Sequence, residues 1–352
     1  MHQNPHTLGW VCSYTPLELI VAAGLTPYKL LSDAHPGDSS GAESLLPSAF
    51  CPYVRRLCNL CLQDAENVPP GILLVLSCDP MRRLADIIDS YSPSRKVIRL
   101  DIPRRRDPLA QEFLKAQLQA LVRELETRSG KHITPSDMSQ AIQDINHIRS
   151  QLAEILELRS QTPHLLPGSG FLDLIRFSQT HHPAETKDTL AQKIQELRTG
   201  DGSQPPQERP RLLLTGSVIE DPDLVQRISK LGGDVVCEDI CSGERDILPL
   251  TDTTLPPVQA IARRMLSRPP CARMLGSKKR IDRTVDLAGH RACHGVIIHT
   301  LKFCDLTQAD LPRLQAELKR HNIPCVHIEQ DALHEDRGQL TTRIQAFLET
   351  LA

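Results

Sequence analysis

A chain of 352 residues is long enough to bury two or three separate cores. Its formal net charge of −2 excludes a broad electrostatic grip on nucleic acid, and an aromatic content of 3% leaves no base-stacking platform or aromatic sugar rail. The polar stretch Met1–Trp10 lacks the apolar segment of a secretory signal, and no run is long enough to span a bilayer, so the chain reads as cytoplasmic, with neither membrane nor nucleic acid as a partner.

In chain order, residues 1–105 read as an α/β lobe. Pro16 to Gly24 (PLELIVAAG) has proline in the first turn and glycine at the end of a short helix. Gly71 to Ser77 (GILLVLS) is an apolar run of strand length, Met81 to Ser90 (MRRLADIIDS) has helical periodicity, and Lys96 to Ile102 (KVIRLDI) reads as a strand again. Strand, helix and strand at this spacing imply a parallel sheet. The triplet Arg104-Arg105-Arg106 reads as a solvated edge. Residues 106–205 change character: Leu109 to Arg128 and Pro135 to Ser160 carry helical periods, and helices at 170–180 and 184–199 complete a helical insert. Gly200 to Pro210 (GDGSQPPQERP) reads as a linker. Residues 206–352 return to α/β, with strands expected at Arg211–Thr215, Asp234–Cys237, Gly295–His299 and Pro324–Ile328. Helices are expected between and after them at 221–231, 256–267, 275–289, 307–321 and 339–351. The expected architecture is two doubly wound α/β lobes with a helical insert between them.

The 11 cysteines are the unusual feature. Their number is odd and a reducing cytosol disfavours disulfides, so they are either small buried hydrophobes or metal ligands, and position separates the two. In open parallel sheets, ligands sit outside the carboxyl ends of the strands. Cys78 ends GILLVLS, Cys304 comes just after GVIIH, Cys241 follows DVVC by a short loop, and Cys12 lies just before the first helix. Cys325 in PCVHI and Cys237 in DVVC lie within apolar strands and read as core. The one C-x-x-C, Cys58 and Cys61, lacks the second pair or the histidines of a structural zinc site. These positions bring several thiols to one crevice without choosing ligands or naming a metal group. Gly216-Ser217, between strand and helix, could offer amides to an anion but belongs to no P-loop or dinucleotide fingerprint. With no G-x-S-x-G or H-E-x-x-H, acyl-serine and zincin chemistry have no support, and His181-His182 is assigned no role.

A series of blocks along the chain is more specific. It runs Gly9 to Leu19 (GWVCSYTPLEL) with Ala22-Ala23-Gly24, Cys51 to Arg55 (CPYVR), Ser77-Cys78-Asp79 with Arg82-Arg83-Leu84, and Ile102-Pro103-Arg104. It continues through Gly216 to Pro222 (GSVIEDP), Glu238 to Gly243 (EDICSG), Leu301 to Asp305 (LKFCD), Ile323-Pro324, Ile328-Glu329 and Gly338 to Arg343 (GQLTTR). In order and over nearly the whole chain, these blocks resemble the 2-hydroxyglutaryl-CoA dehydratase D-component family of 2-hydroxyacyl-CoA dehydratase and benzoyl-CoA reductase subunits.

The resemblance implies Rossmann- or flavodoxin-like lobes around an oxygen-sensitive 4Fe–4S cluster held by three cysteines of the subunit. Matching motifs carry that role to Cys51, Cys78 and Cys304, with an open iron left for a substrate carbonyl, a water or a sulfur ligand. It also implies an acyl-CoA substrate, a second family subunit in a homo- or heterodimer, and an ATP-dependent iron–sulfur activator protein. The activator delivers the low-potential electron that makes a ketyl radical of the thioester. One branch of the family carries a double-cubane iron–sulfur cluster, for which Cys12, Cys58, Cys61, Cys241 and Cys271 are the further thiols, Cys241 and Cys12 foremost. A cluster-carrying subunit without its own turnover is the other reading. Glu18, at the start of the first helix, is the candidate carboxylate for handling a proton or the substrate hydroxyl, and Tyr14 a candidate hydrogen-bonding partner. The chain departs from the longer family subunits in beginning almost on the first motif, in a short loop after Cys241 and in Ala272, where proline is common.

Overall fold

The computed structural model describes residues 6–31, 40–63, 68–161, 164–200, 209–219, 223–331 and 337–351; most of the expected linker at 200–210 and the end of the block Gly216 to Pro222 lie outside them. Four parallel strands, β1 (Thr7–Trp10), β2 (Thr26–Lys29), β3 (Gly71–Val75) and β4 (Lys96–Leu100), form a first sheet in the order β2-β1-β3-β4. Helices α1 (Leu17–Ala22), α2 (Ser40–Leu45), α3 (Pro52–Leu62) and α4 (Asp79–Tyr91) connect its strands. Then come α5 (Pro108–Ser129), α6 (Pro135–Gln161), α7 (Gly168–Thr180) and α8 (Pro183–Thr199). The second sheet, also parallel, contains β5 (Arg211–Gly216), β6 (Asp234–Asp239), β7 (Gly295–Leu301) and β8 (Cys325–Gln330) in the order β6-β5-β7-β8. Its helices are α9 (Asp223–Lys230), α10 (Pro257–Ser267), α11 (Ser277–His290), α12 (Asp305–Gln308), α13 (Leu311–Arg320) and α14 (Arg337–Glu349). No described helix is long and apolar enough to cross a membrane.

The inner strands β3 and β7 are buried at every position, as a parallel sheet covered by helices on both faces requires, while the edge strand β4 exposes Lys96 and Arg99. Strand β6 runs past its last apolar residue, and β7 continues through His299 to Leu301, because the polar side chains there are buried with partners. Glu238 takes two bonds from Arg159 (2.7 and 2.8 Å), Asp239 pairs with Arg245 at 2.8 Å, and His299 meets Gln330 at 2.6 Å. The single helix expected at 307–321 is two, α12 and α13, and Pro312 falls in the first turn of the second, where a missing N–H costs nothing.

The helical insert is laced to both sheets: α7 packs on β2 and β6, α6 on α1, and α5 on β4 and α10. Although α10 belongs by sequence to the carboxyl-terminal α/β stretch, its Ile261, Ala262, Met265 and Leu266 pack in one core with Leu73, Ile98 and Leu114. Burying Ile261, Met265 and Leu266 at about 2 kcal/mol each holds the two sheets together from the side.

Candidate functional site

Both sheets run second, first, third, fourth, so each has a switch point beside its first strand, where open α/β sheets bind ligands. Here the two switch points open on one cavity. Residues at or beyond the ends of β1, β2 and β3 line one side, and residues after β5, β6 and β7 line the other. The cavity holds ≈ 160 Å³, against roughly 15 Å³ for a single water. Six cysteines line it: Cys12, Cys51, Cys78, Cys241, Cys271 and Cys304.

Cys51, Cys78 and Cys304 share one local device. Each is the residue immediately before a helix, α3, α4 and α12 respectively, and proline lies in the first turn of the first two. Amides there have no intrahelical acceptor and favour a thiolate: Tyr53 and Val54 act on Cys51, Met81 on Cys78 and Thr307 on Cys304. Cys51 and Cys304 act on one another: a hydrogen bond from Cys51 draws the Cys304 thiol down against the pull of burial, and the same bond, with burial, pushes Cys51 up. Thr307 Oγ1 lies 3.3 Å from Cys304 Sγ and accepts from Ser217 Oγ at 3.3 Å. Ser217 in turn accepts the Leu301 N–H at 3.1 Å, which fixes the turn leading to Cys304.

Cys12, Cys78 and Cys241 resist ionisation. Burial, then neighbouring Cys271, push Cys12 up to about 12; burial pushes Cys78 to about 11 and raises Cys241. Thiols this close disfavour one another's charge, so they can all ionise together only if cations join them. Among the described residues no three His, Cys, Asp or Glu side chains converge as a single metal ion requires. The thiols line the volume from several sides, a set of soft donors that a polynuclear group could use.

Cys271 was not singled out by its position in the sequence, because it follows no strand. It rides on a loop between α10 and α11 that arginines pull onto the first sheet. Arg268 donates to the Ser13 carbonyl and Arg273 to those of Ile102 and, at 2.9 Å, Pro103. Arg104 and Arg106 return bonds of 3.0 Å to the carbonyls of Arg273 and Arg268; Arg104 and Arg105 are exposed, as a solvated edge requires, and Arg106 is half-buried. Paired Pro269-Pro270 and the surrounding arginines were the available signal.

Tyr14 lines the cavity beneath the Arg268 guanidinium, 4.6 Å above its ring, and its buried hydroxyl has no hydrogen-bond partner among the described residues. Burial, with Cys271 next, pushes that phenol up to about 12, so it stays a donor. Glu18 does not line the cavity. It is sealed between α1 and α6, where it accepts from Arg149 at 2.6 Å and Thr251 at 3.0 Å. Cys58 and Cys61 are buried in the core under α3, and Cys237 donates to Glu244 at 2.8 Å in a separate core that Cys325 packs against. None of these four lines the cavity.

The comparisons with known proteins follow the same outline. The family model of the 2-hydroxyglutaryl-CoA dehydratase D-component matches residues 12–351. Relatives include the (R)-phenyllactyl-CoA dehydratase beta subunit of Clostridium sporogenes, 25% identical over 98% of this chain and 91% of its own. The putative dehydratase subunit YjiM of Escherichia coli strain K12 is 26% identical over 98% of this chain and 91% of its own. A benzoyl-CoA reductase subunit of Thauera aromatica is 24% identical over 93% and 85%. With a family model covering nearly its whole length and two lobes of the expected kind, the chain belongs to the 2-hydroxyglutaryl-CoA dehydratase D-component family, enzymes of the dehydratase and reductase type.

Proposed function

We propose that this chain is the iron–sulfur subunit of a 2-hydroxyacyl-CoA dehydratase or benzoyl-CoA reductase-like enzyme, with a 4Fe–4S cluster held by Cys51, Cys78 and Cys304. The observation that carries this is the arrangement of those three thiols, each set ahead of a helix and all bordering one cavity at two facing switch points. The donor set suits the group: soft thiolates with no carboxylate among the described lining residues, and a Tyr14 hydroxyl without a partner among the described residues. When bound, such a cluster would supply one electron at low potential to an acyl-CoA thioester.

The protein's own part is binding, orientation and exclusion of water. Val11, Met81, Leu301 and Leu306 make the apolar part of the wall. The Tyr14 hydroxyl is the donor for a substrate or ligand atom brought into the cavity. Electrons would come from an ATP-dependent iron–sulfur activator, and the relatives named as beta subunits support a second family subunit beside this one. Cys12, Cys241 and Cys271 on the same wall favour one further reading, a double-cubane cluster that uses all six thiols.

The test is iron and acid-labile sulfide per chain, with an electron paramagnetic resonance spectrum, on protein purified or reconstituted without oxygen. About four irons that disappear in Cys304→Ser and persist in Cys325→Ala support the single cube. About eight, lost also in Cys271→Ser, support the larger cluster, and no iron in the wild-type chain sinks both.

A further inference from the structure

The charge on the cavity wall is unbalanced. Its cationic side chains are Lys29, Arg245 and Arg273, and no Asp or Glu is among the described residues that line it. Two of the three have their own acceptors. Arg245 is paired with Asp239 through bonds of 2.8 and 2.9 Å, and Arg273 donates to the carbonyls of Ile102 and Pro103. Lys29 differs. It ends β2, is 4% exposed, and its ammonium donates to the neutral amide of Gln179 at 3.0 Å, with the Trp10 ring centroid 5.6 Å away.

An ammonium taken out of water is costly unless an anion answers it, and an amide with an aromatic face returns only part of that cost. The wall offers no anion except the thiols, which become negative on binding metal. Lys29 and the six thiols line the same cavity, so its field acts on whatever they bind. A fixed cation in a poorly polarisable wall also stabilises the more negative of two redox states, since little water remains to screen it.

We propose that Lys29 is the counter-charge of the group bound in the cavity and sets its reduction potential, a role that rests on the cluster reading above. Lys29 acts through its field, as a positioning residue for charge, and touches no reacting atom. Arg245 contributes less, because its charge is paired with Asp239; Arg273, bonded to neutral carbonyls, adds its field to that of Lys29.

The experiment is a redox titration followed by electron paramagnetic resonance, with iron counted on the same samples, for the anaerobically loaded wild-type chain, Lys29→Met, Lys29→Arg and Gln179→Glu. Lys29→Met is expected to keep its iron and to shift the one-electron reduction equilibrium at least tenfold toward the oxidised form, a fall of about 59 mV. Lys29→Arg should recover most of that shift. Gln179→Glu keeps the lysine and gives it a carboxylate, so its potential should move in the same direction as that of Lys29→Met; it decides the matter if Lys29→Met does not fold or load. Full iron with an unmoved potential in Gln179→Glu, or in a loaded Lys29→Met, overturns the role of Lys29 and leaves the cluster reading standing. A wild-type chain that takes up no iron overturns the cluster reading, and the role of Lys29 with it.

Discussion

Glu18 is 1% exposed and accepts from Arg149 at 2.6 Å, while His299, also 1% exposed, meets Gln330 through Nε2 and has no partner at Nδ1 among the described residues. Burial would raise Glu18, yet Arg149 and Arg264 beside it hold it down to about 2 from 4.5. Burial, the foremost cause, draws His299 down to about 4 from 6.5. Both groups therefore have folded values below their unfolded ones, and in both the unfolded chain takes up a proton first as the pH falls. His299 leaves stability intact above pH 6.5 and erodes it between 6.5 and about 4, and Glu18 erodes it between 4.5 and about 2. His299→Gln should remove most of the loss in the upper window, on the order of 3 kcal/mol, as measured by urea midpoints at several pH values. An unchanged slope there would mean that His299 is not sealed from water. At neutral pH, Glu18→Gln should cost about 3 kcal/mol by leaving Arg149 without its charge partner.

Gly216 shows how an element's end shapes the site. It ends β5 with φ +123°, and a Cβ there would run into the carbonyl oxygen of His299. Only glycine fits both the conformation and the approach. Gly216→Ala should therefore push β5 from β7 and displace Ser217, whose hydroxyl holds the Leu301 amide and bridges to Thr307 beside Cys304. The expected result is a loss of bound iron larger than the loss of helix content by circular dichroism; retained iron would show that the turn at Cys304 is held without Ser217. Such devices also mark what could be read in advance. GILLV and GVII are apolar throughout and declare inner strands, so Cys78 and Cys304 were legible as residues beyond strand ends. Four-residue strands such as TLGW and TPYK carry too little periodicity to declare themselves, and with β2 unseen Lys29 had no place. Cys271 could be named only through the family resemblance, because its loop owes its position to arginines that act on carbonyls far away in sequence.

At the scale of the molecule the ligand candidates come from both sheets: Cys51 and Cys78 from the first, Cys304 from the second. A group bound by all three would bridge the lobes that α10 and the loop carrying Cys271 already hold together. It would bind only where the lobes face one another, so its binding energy becomes resistance to unfolding. With free ligand at a thousand times the dissociation constant the gain is about 4 kcal/mol. Loading under anaerobic conditions should therefore raise the melting temperature by several degrees, and a chelator should reverse the rise. In Cys304→Ser, which keeps two ligands on one sheet and none of the three on the other, loading should leave the melting temperature where it was. An equal rise in wild type and Cys304→Ser would mean that the metal is held within one lobe, and the two facing switch points would then need another ligand to explain them.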